Sequence, residues 1–300
     1  MTGSRHRLVV GDLVAVFLPD RGMLGASLQH RGEEILRRLD DLEQAAAKGS
    51  TAGIPLLHPW ANRLSAPRYL AAGRAVVLDP HSPLLHLDEH GLPMHGVPWA
   101  KLAWEVHEAT PDRLTARLDW SRPELLAVFP YPHRLRFEAT LREDGLTIRT
   151  TLTAGREGPV PVSFGFHPYF GLPGVPRAQW RLSLPTMQRL VLDRNGIPTG
   201  EHKAFEGFDG PLRDAVFDDG FALHSGTEGF TLAGGGRRVT VECLSGYAFA
   251  QIFAPAGKEF VALEPMTAPT SALTTGRNLP LAGPGEDFSA AFRIQVVDAR

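Results

Sequence analysis

The chain has 300 residues, 43% of them hydrophobic, and a formal net charge of −2 with acids and bases interspersed. That balance gives no electrostatic basis for binding nucleic acid or an anionic membrane, while the apolar content supports a sizeable core. The one cysteine, Cys243, excludes an internal disulfide and fits a reducing compartment. No apolar run approaches the roughly 18 residues a membrane-spanning helix needs.

The N-terminal stretch MTGSRHRLVVGDLVAVFLPDRG lacks a secretory layout, because Gly11, Asp12 and Pro19 interrupt its apolar residues. A cytoplasmic location is therefore expected. Further on, RRLDDLEQAAAKGS (37–50) joins good helix formers to a stop at Gly49 and is the one helix-like segment. Thereafter the apolar residues mostly alternate. RLTARLDW (113–120), HRLRFEATLRE (133–143) and GLTIRTTLTA (145–154) read with period two. Asp144-Gly145 between the last two predicts a hairpin whose turn residues tolerate positive φ. Further strands are expected at Gln179–Leu184, Arg238–Cys243, Ala248–Phe253, Phe260–Glu264 and Phe288–Val297. The 31 glycines and 25 prolines are spread between these runs as turn punctuation. With no repeat, linker or composition break, residues 1–300 are expected to form one all-β domain, a sandwich of large sheets.

Five stretches have the residue types for chemistry. GIPLLHPWANRL (53–64) ends an apolar run on Asn62-Arg63, framed by Pro59 and Trp60. Arg63 is either a surface salt-bridge partner or a guanidinium fork for hydroxyl or carboxylate groups. HSPLLHLDEHGLPMHGVPW (81–99) carries His81, His86, His90 and His95. This loop is broken by proline and glycine and has neither cysteine nor an HExxH helix, so no metal centre is expected. Among the four, His95 is the best placed to line a pocket. FDDGFAL (217–223) has adjacent carboxylates that a strand would aim at opposite faces, so one of them faces a ligand or serves a turn.

VSFGFHPYFGLPG (162–174) sets His167 against Pro168. The proline pushes the histidine toward an extended backbone, which suits either an aimed imidazole or a turn between strands. FVALEPMTAPTSALTTG (260–276) places Glu264 at the end of a buried strand, again before a proline. A carboxylate there is costly unless paired or functional. One histidine and one glutamate sharing the same X-Pro frame suggest an acid/base couple. Nucleophilic and cofactor chemistries fare worse. There is no G-x-S-x-G elbow and no dinucleotide fingerprint, and the GGG at 234–236 lacks the lysine and spacing of a phosphate loop. Cys243 lies within an expected strand, as a small core residue.

Taken in order, PLLHPWANRL, MHGVPW, FGFHPYFGL, FDDGFAL and VALEPMTAPTSALTTG resemble the aldose 1-epimerases, or galactose mutarotases, from about residue 53 to 276. The resemblance implies a large antiparallel β-supersandwich with a sugar cleft across one sheet and no cofactor. It also implies Glu264 as general base and His167 as general acid, with His95, Arg63 and Asp218 holding hydroxyls of a small aldose and Asn62 beside them. Trp60, Phe166 and Trp99 are the aromatics expected to stack on the apolar face of the pyranose. The expected reaction is exchange of α and β anomers through ring opening. Its rivals are the same reaction on a hexose 6-phosphate, which needs a further basic cluster, and a non-catalytic carbohydrate-binding protein, which has no use for the Glu/His couple. A glycosidase would need two carboxylates, for which Glu264 and Asp218 are the candidates.

Overall fold

The alternation at 133–143 becomes the strand His133–Arg142, whose inward residues Leu135, Phe137, Ala139 and Leu141 have no exposed surface. It pairs antiparallel with Gly145–Ala154, and Arg142 stands opposite Gly145. Neither Asp144 nor Gly145 takes a positive φ. Glycine is needed at 145 for a different reason: a β-carbon there would run into the Ile294 carbonyl of the next strand. The GGG turn does use positive φ, 59° at Gly235 and 75° at Gly236, between the strands Phe230–Gly234 and Arg237–Ser245.

The structure is a computed structural model and describes residues 4–38, 44 and 50–299. Most of the helix expected over 37–50 therefore lies outside the described residues. Two short helices that the sequence reading did not anticipate occur at Pro123–Val128 and Ala272–Thr275. No helix of the described residues is long and apolar enough to cross a membrane.

Two large antiparallel sheets dominate. One has nine strands, in the order Phe208–Pro211, Arg181–Leu184, Phe230–Gly234, Arg237–Ser245, Asp287–Asp298, Gly145–Ala154, His133–Arg142, Arg113–Trp120 and Glu105–Ala109. The other has eight strands. Seven run in the order Pro198–Phe205, Met187–Leu192, Phe217–Ala222, Phe249–Ala254, Val261–Met266, Gly165–Phe166 and Leu56–Leu57, and Tyr169–Phe170 also pairs with Val261–Met266. A four-stranded N-terminal sheet spans His6 to Glu34. This is the antiparallel β-supersandwich expected from the sequence.

The inner faces of the two large sheets meet in one apolar cluster. Phe166 crosses from the eight-stranded sheet to Phe292 and Phe137 of the other, with ring centroids 5.0 and 6.4 Å apart. Successive residues of a strand face opposite ways, so what lies beside a core residue is turned outward. The strand reaching Glu264 does not end there, as the sequence suggested, but runs from Val261 through Pro265 to Met266. Glu264 consequently stands in the middle of a sheet, with neighbours on either side.

Candidate active site

His167 sits between two short strands, and its backbone is held on both flanks. Its N–H donates to the Pro55 carbonyl (3.1 Å), and the Pro168 carbonyl accepts from Leu263 (3.3 Å). With Pro168 fixing the path, the imidazole faces the strand that carries Glu264. Nε2 of His167 lies 3.2 Å from Oε1 of Glu264, and both side chains are buried.

The rings of His167 and Tyr169 stack 4.1 Å apart, and the Tyr169 hydroxyl lies 3.1 Å from the same Nε2. Thr51 is 2.5 Å from that hydroxyl. The Arg37 guanidinium covers the Tyr169 and Phe260 rings from 5.6 and 4.8 Å. His95 meets the His167 ring edge-on at 5.5 Å. Nδ1 of both histidines is buried without a hydrogen-bond partner among the described residues. Native interiors pair the great majority of such atoms.

Burial moves the two members of the couple in opposite directions. It pushes the Glu264 carboxyl well above the usual carboxylate range, with the Asp218 charge adding to the shift. It holds His167 well below the usual imidazole range, with His95 adding to the effect. For His95 itself, burial, then His86 and Arg63, lower the value to about 3. Burial thus favours a protonated Glu264 against a neutral His167, the reverse of the ionised pair that the sequence reading assumed.

Asp218 is exposed and reaches Glu264 through an intermediary. Gln251 pairs with Glu264 across the sheet and donates from Nε2 to Asp218 Oδ1 at 2.7 Å. Asp219 points the other way, toward Arg189 at 3.5 Å. Asn62 takes a positive φ of 55° and caps its neighbour, accepting from the Arg63 N–H at 2.8 Å. Its carbonyl accepts from the His95 N–H at 2.9 Å, which ties the Asn62-Arg63 and Met94-His95 segments together. Arg63 Nε donates to Asp88 Oδ2 at 2.6 Å, one edge of its fork, and its side chain is only 14% exposed. Burial acts to raise the Asp88 carboxyl, but hydrogen bonds from Leu92, Arg63 and His90 outweigh it and hold the group below the usual range.

The structure therefore brings His167, Glu264, His95 and Asp218 to one site, with Arg63 and Asn62 joined to it through His95. It does not bring two of the expected aromatics, Trp60 and Phe166, there. Trp60 has no exposed surface and lies in the main core, so it offers no face to a ligand. Phe166 is likewise a core residue, whereas Trp99, packed on Leu18 and Leu24, lines a small pocket with His95 and Thr51. The half-buried Phe253, 6.2 Å from the His167 ring, joins Tyr169 as an aromatic at the site. Gln251, Phe253, Tyr169 and Asp88 were missed by sequence reasoning. The polar Gln251 inside the apolar strand FAQIFA was the signal for the first. The loop histidines do not converge: among the described residues no three His, Cys, Asp or Glu side chains are grouped to hold a metal ion.

Comparison with known proteins agrees with this architecture. The aldose 1-epimerase family model matches residues 13–295. A solved protein from Synechocystis sp. PCC 6803 is 24% identical, with 100% of this chain and 97% of that one aligned at a TM-score of 0.81. A galactose mutarotase-like protein from Clostridium acetobutylicum is 20% identical over 98% and 95% of the two chains, at a TM-score of 0.86. An aldose epimerase homologue from C. elegans is 15% identical over 100% of both, at 0.81. A search of curated proteins finds no sequence match.

Proposed function

The chain belongs to the aldose 1-epimerase family, and we propose that it interconverts the α and β anomers of a free aldohexose by acid/base-catalysed ring opening and reclosure. The observation that carries this reading is the sealed contact between His167 Nε2 and Glu264 Oε1. Opening a pyranose requires the anomeric hydroxyl to lose a proton while the ring oxygen gains one. Two titratable groups that share one proton, 3.2 Å apart, match that exchange.

With a closed ring bound, the Glu264 carboxylate takes the proton from O1 and the His167 imidazolium gives its own to O5. The C1–O5 bond breaks and C1 becomes an aldehyde. Glu264 is now protonated and His167 neutral, the pair that burial favours. After rotation about C1–C2, O5 attacks the other face of the aldehyde. His167 recovers its proton from O5, Glu264 returns its own to O1, and no net proton is consumed. Arg63, His95 and Asp218 hold the remaining hydroxyls so that the open chain stays in register for reclosure. The exposed Asp218 is linked to Glu264 through Gln251, which donates to it and pairs with Glu264 across the sheet.

Polarimetry on freshly dissolved aldohexose anomers tests the reading, with the spontaneous rate subtracted. Acceleration that Glu264→Gln abolishes is the expected result. Hydrolysis of an aryl glycoside without any acceleration of mutarotation would make the protein a glycosidase instead.

A further inference from the structure

His167 Nε2 has a second oxygen neighbour besides Glu264. The Tyr169 hydroxyl stands 3.1 Å from it, against 3.2 Å for Glu264 Oε1. The Tyr169 and His167 rings lie 4.1 Å apart and within 10° of parallel. Tyr169 is only 5% exposed, and its backbone is fixed on both sides. Its N–H donates to the Gly53 carbonyl and its carbonyl accepts from the Arg37 N–H, each at 2.9 Å. Thr51 Oγ1 lies 2.5 Å from the phenol oxygen, and the Thr51 carbonyl accepts from Arg37 Nη1 at 3.2 Å. Arg37 and the Phe260 ring also pack on the Tyr169 ring. A phenylalanine would fill the same space, and a buried hydroxyl costs free energy unless it is bonded.

The couple has a neutral form and an ionised form, and only the ionised form exchanges protons with the closed sugar. Burial, then His95 and Arg37, oppose the His167 imidazolium. Glu264 supports it only when ionised, and Asp218 bears on Glu264. Tyr169 acts the other way through two contacts. Burial pushes its phenol up, so it stays neutral and offers an oxygen lone pair without a charge of its own. With its proton turned to Thr51 Oγ1, that oxygen accepts from the Nε2–H of an imidazolium. In the neutral pair the single lone pair of Nε2 accepts from protonated Glu264, and the phenol adds nothing. The parallel ring also presents its electron-rich face to the cation.

We propose that Tyr169 is a positioning residue of the couple: its hydroxyl, aligned by Thr51, and its ring stabilise the His167 imidazolium that protonates the ring oxygen. The inference rests on the epimerase reading and adds to it a residue that acts through His167. No bond is made or broken at Tyr169, and the phenol keeps its proton throughout.

The test is polarimetry on free aldohexoses from about pH 4 to 9, a span around the ordinary carboxyl and imidazole values. It compares wild type, Tyr169→Phe, Thr51→Val and Thr51→Ser. Tyr169→Phe keeps the stacked ring and loses the oxygen. Its plateau kcat should fall about tenfold to a hundredfold, the usual worth of a hydrogen bond to a charged group, with KM unchanged. The acid limb of its kcat/KM profile, set by the imidazolium, should move to lower pH, while the alkaline limb, set by Glu264, stays in place. Thr51→Val should show the same pattern with a smaller loss, and Thr51→Ser should behave as wild type. A rise in KM at constant kcat makes Tyr169 a sugar-binding residue and overturns the inference. An acid limb displaced to higher pH makes the phenol a donor to neutral His167 and overturns it equally. So does an unchanged profile with only the melting temperature lowered, which leaves Tyr169 a packing residue. A wild type that accelerates mutarotation of no aldohexose overturns the epimerase reading and the inference with it, whereas an active wild type with an unaffected Tyr169→Phe overturns the inference alone.

Discussion

Nε2 of His167 and Oε1 of Glu264 stand 3.2 Å apart in a site that excludes water from both, so desolvation raises the carboxyl and lowers the imidazole. The two groups, ordinarily about 4.3 for Glu and 6.5 for His, are thereby moved in opposite directions, each toward its neutral form. The active form of the pair holds one proton. On lowering the pH, that form is lost when His167 also becomes protonated, below the usual imidazole range. On raising the pH, it is lost when Glu264 gives up its proton, above the usual carboxylate range. The profile of kcat/KM should therefore be a broad bell whose limbs belong to the pair. An acid limb centred near the ordinary imidazole value, measured on correctly folded enzyme, would show that the site is not dry.

Replacing the couple separates activity from stability. Glu264→Gln and His167→Asn should each lower kcat by about 10²–10⁴, the usual worth of a general acid or base. The double variant should lose less than the product of the two, because either change alone breaks the exchange. Yet Glu264→Gln should melt no lower than wild type at neutral pH, since glutamine is neutral in both states, removes the cost of protonating a carboxyl on burial and can still hydrogen-bond. Calorimetry showing a large drop in Tm would reassign Glu264 to the scaffold.

How much of this was legible in the sequence depended on periodicity. Strands with one face in the core, such as His133–Arg142, carry a period-two pattern and were legible almost to the residue. The Asp144-Gly145 hairpin was found for the wrong reason: Gly145 is required by the approach of Ile294, a tertiary contact that no local rule contains. His167 and Glu264 stood out because a polar group beside a proline in an apolar run needs an explanation. Trp60 was misplaced because an aromatic beside a binding motif reads the same whether it faces the cleft or the core. Phe253 was passed over because a phenylalanine is ordinary in a strand, and the polar Gln251 within FAQIFA is a signal that names no partner. Only the pairing of Gln251 with Glu264 and of Phe253 with Asp218 makes them site residues.

Arg63 is held by Asp88, whose side chain is fully buried, and this makes a two-part prediction. Arg63→Ala should raise KM more than it lowers kcat, as expected for an interaction made in ground and transition states alike. Asp88→Asn keeps the shape but removes the charge that fixes Nε, and should raise KM in the same direction by a smaller factor. Unchanged KM in both, with Tm lowered, would make the pair a purely structural brace.

Trp60, with no exposed surface, should matter for stability and not for sugar affinity. Trp60→Ala should cost about 3–5 kcal/mol, the usual range for emptying a buried aromatic site. Trp60→Phe keeps more of the packing, and should melt between the two with KM unaltered. A rise in KM without a change in the denaturation midpoint would return Trp60 to the binding face.

The last prediction concerns acid. His58 and His133 face each other between the sheets, Nε2 to Nε2 at 2.9 Å, and His133 Nδ1 lies 2.6 Å from the Tyr131 carbonyl. That carbonyl can only accept, so His133 carries its proton on Nδ1 and accepts at Nε2 from His58. His58 Nδ1 then has no partner among the described residues, and protonating it would place a cation with no counter-charge in the core. Burial accordingly lowers His133 to about 4 and His58 well below the imidazole range. The unfolded chain, with ordinary imidazoles, binds these protons near pH 6.5 and the folded chain does not. Their stabilising effect is complete above that pH and declines as the pH falls toward the folded values, with a slope of about 1.4 kcal/mol per pH unit for each histidine kept neutral. His95 and His167 act in the same direction. Glu264, whose raised value works oppositely, favours the folded state on the acid side and offsets part of this loss. The melting temperature should thus fall steadily from pH 7 to 4. His133→Phe should flatten the slope by one histidine's share at least, even if it lowers Tm at neutral pH, whereas an identical slope in that variant would remove the His58–His133 pair from the explanation.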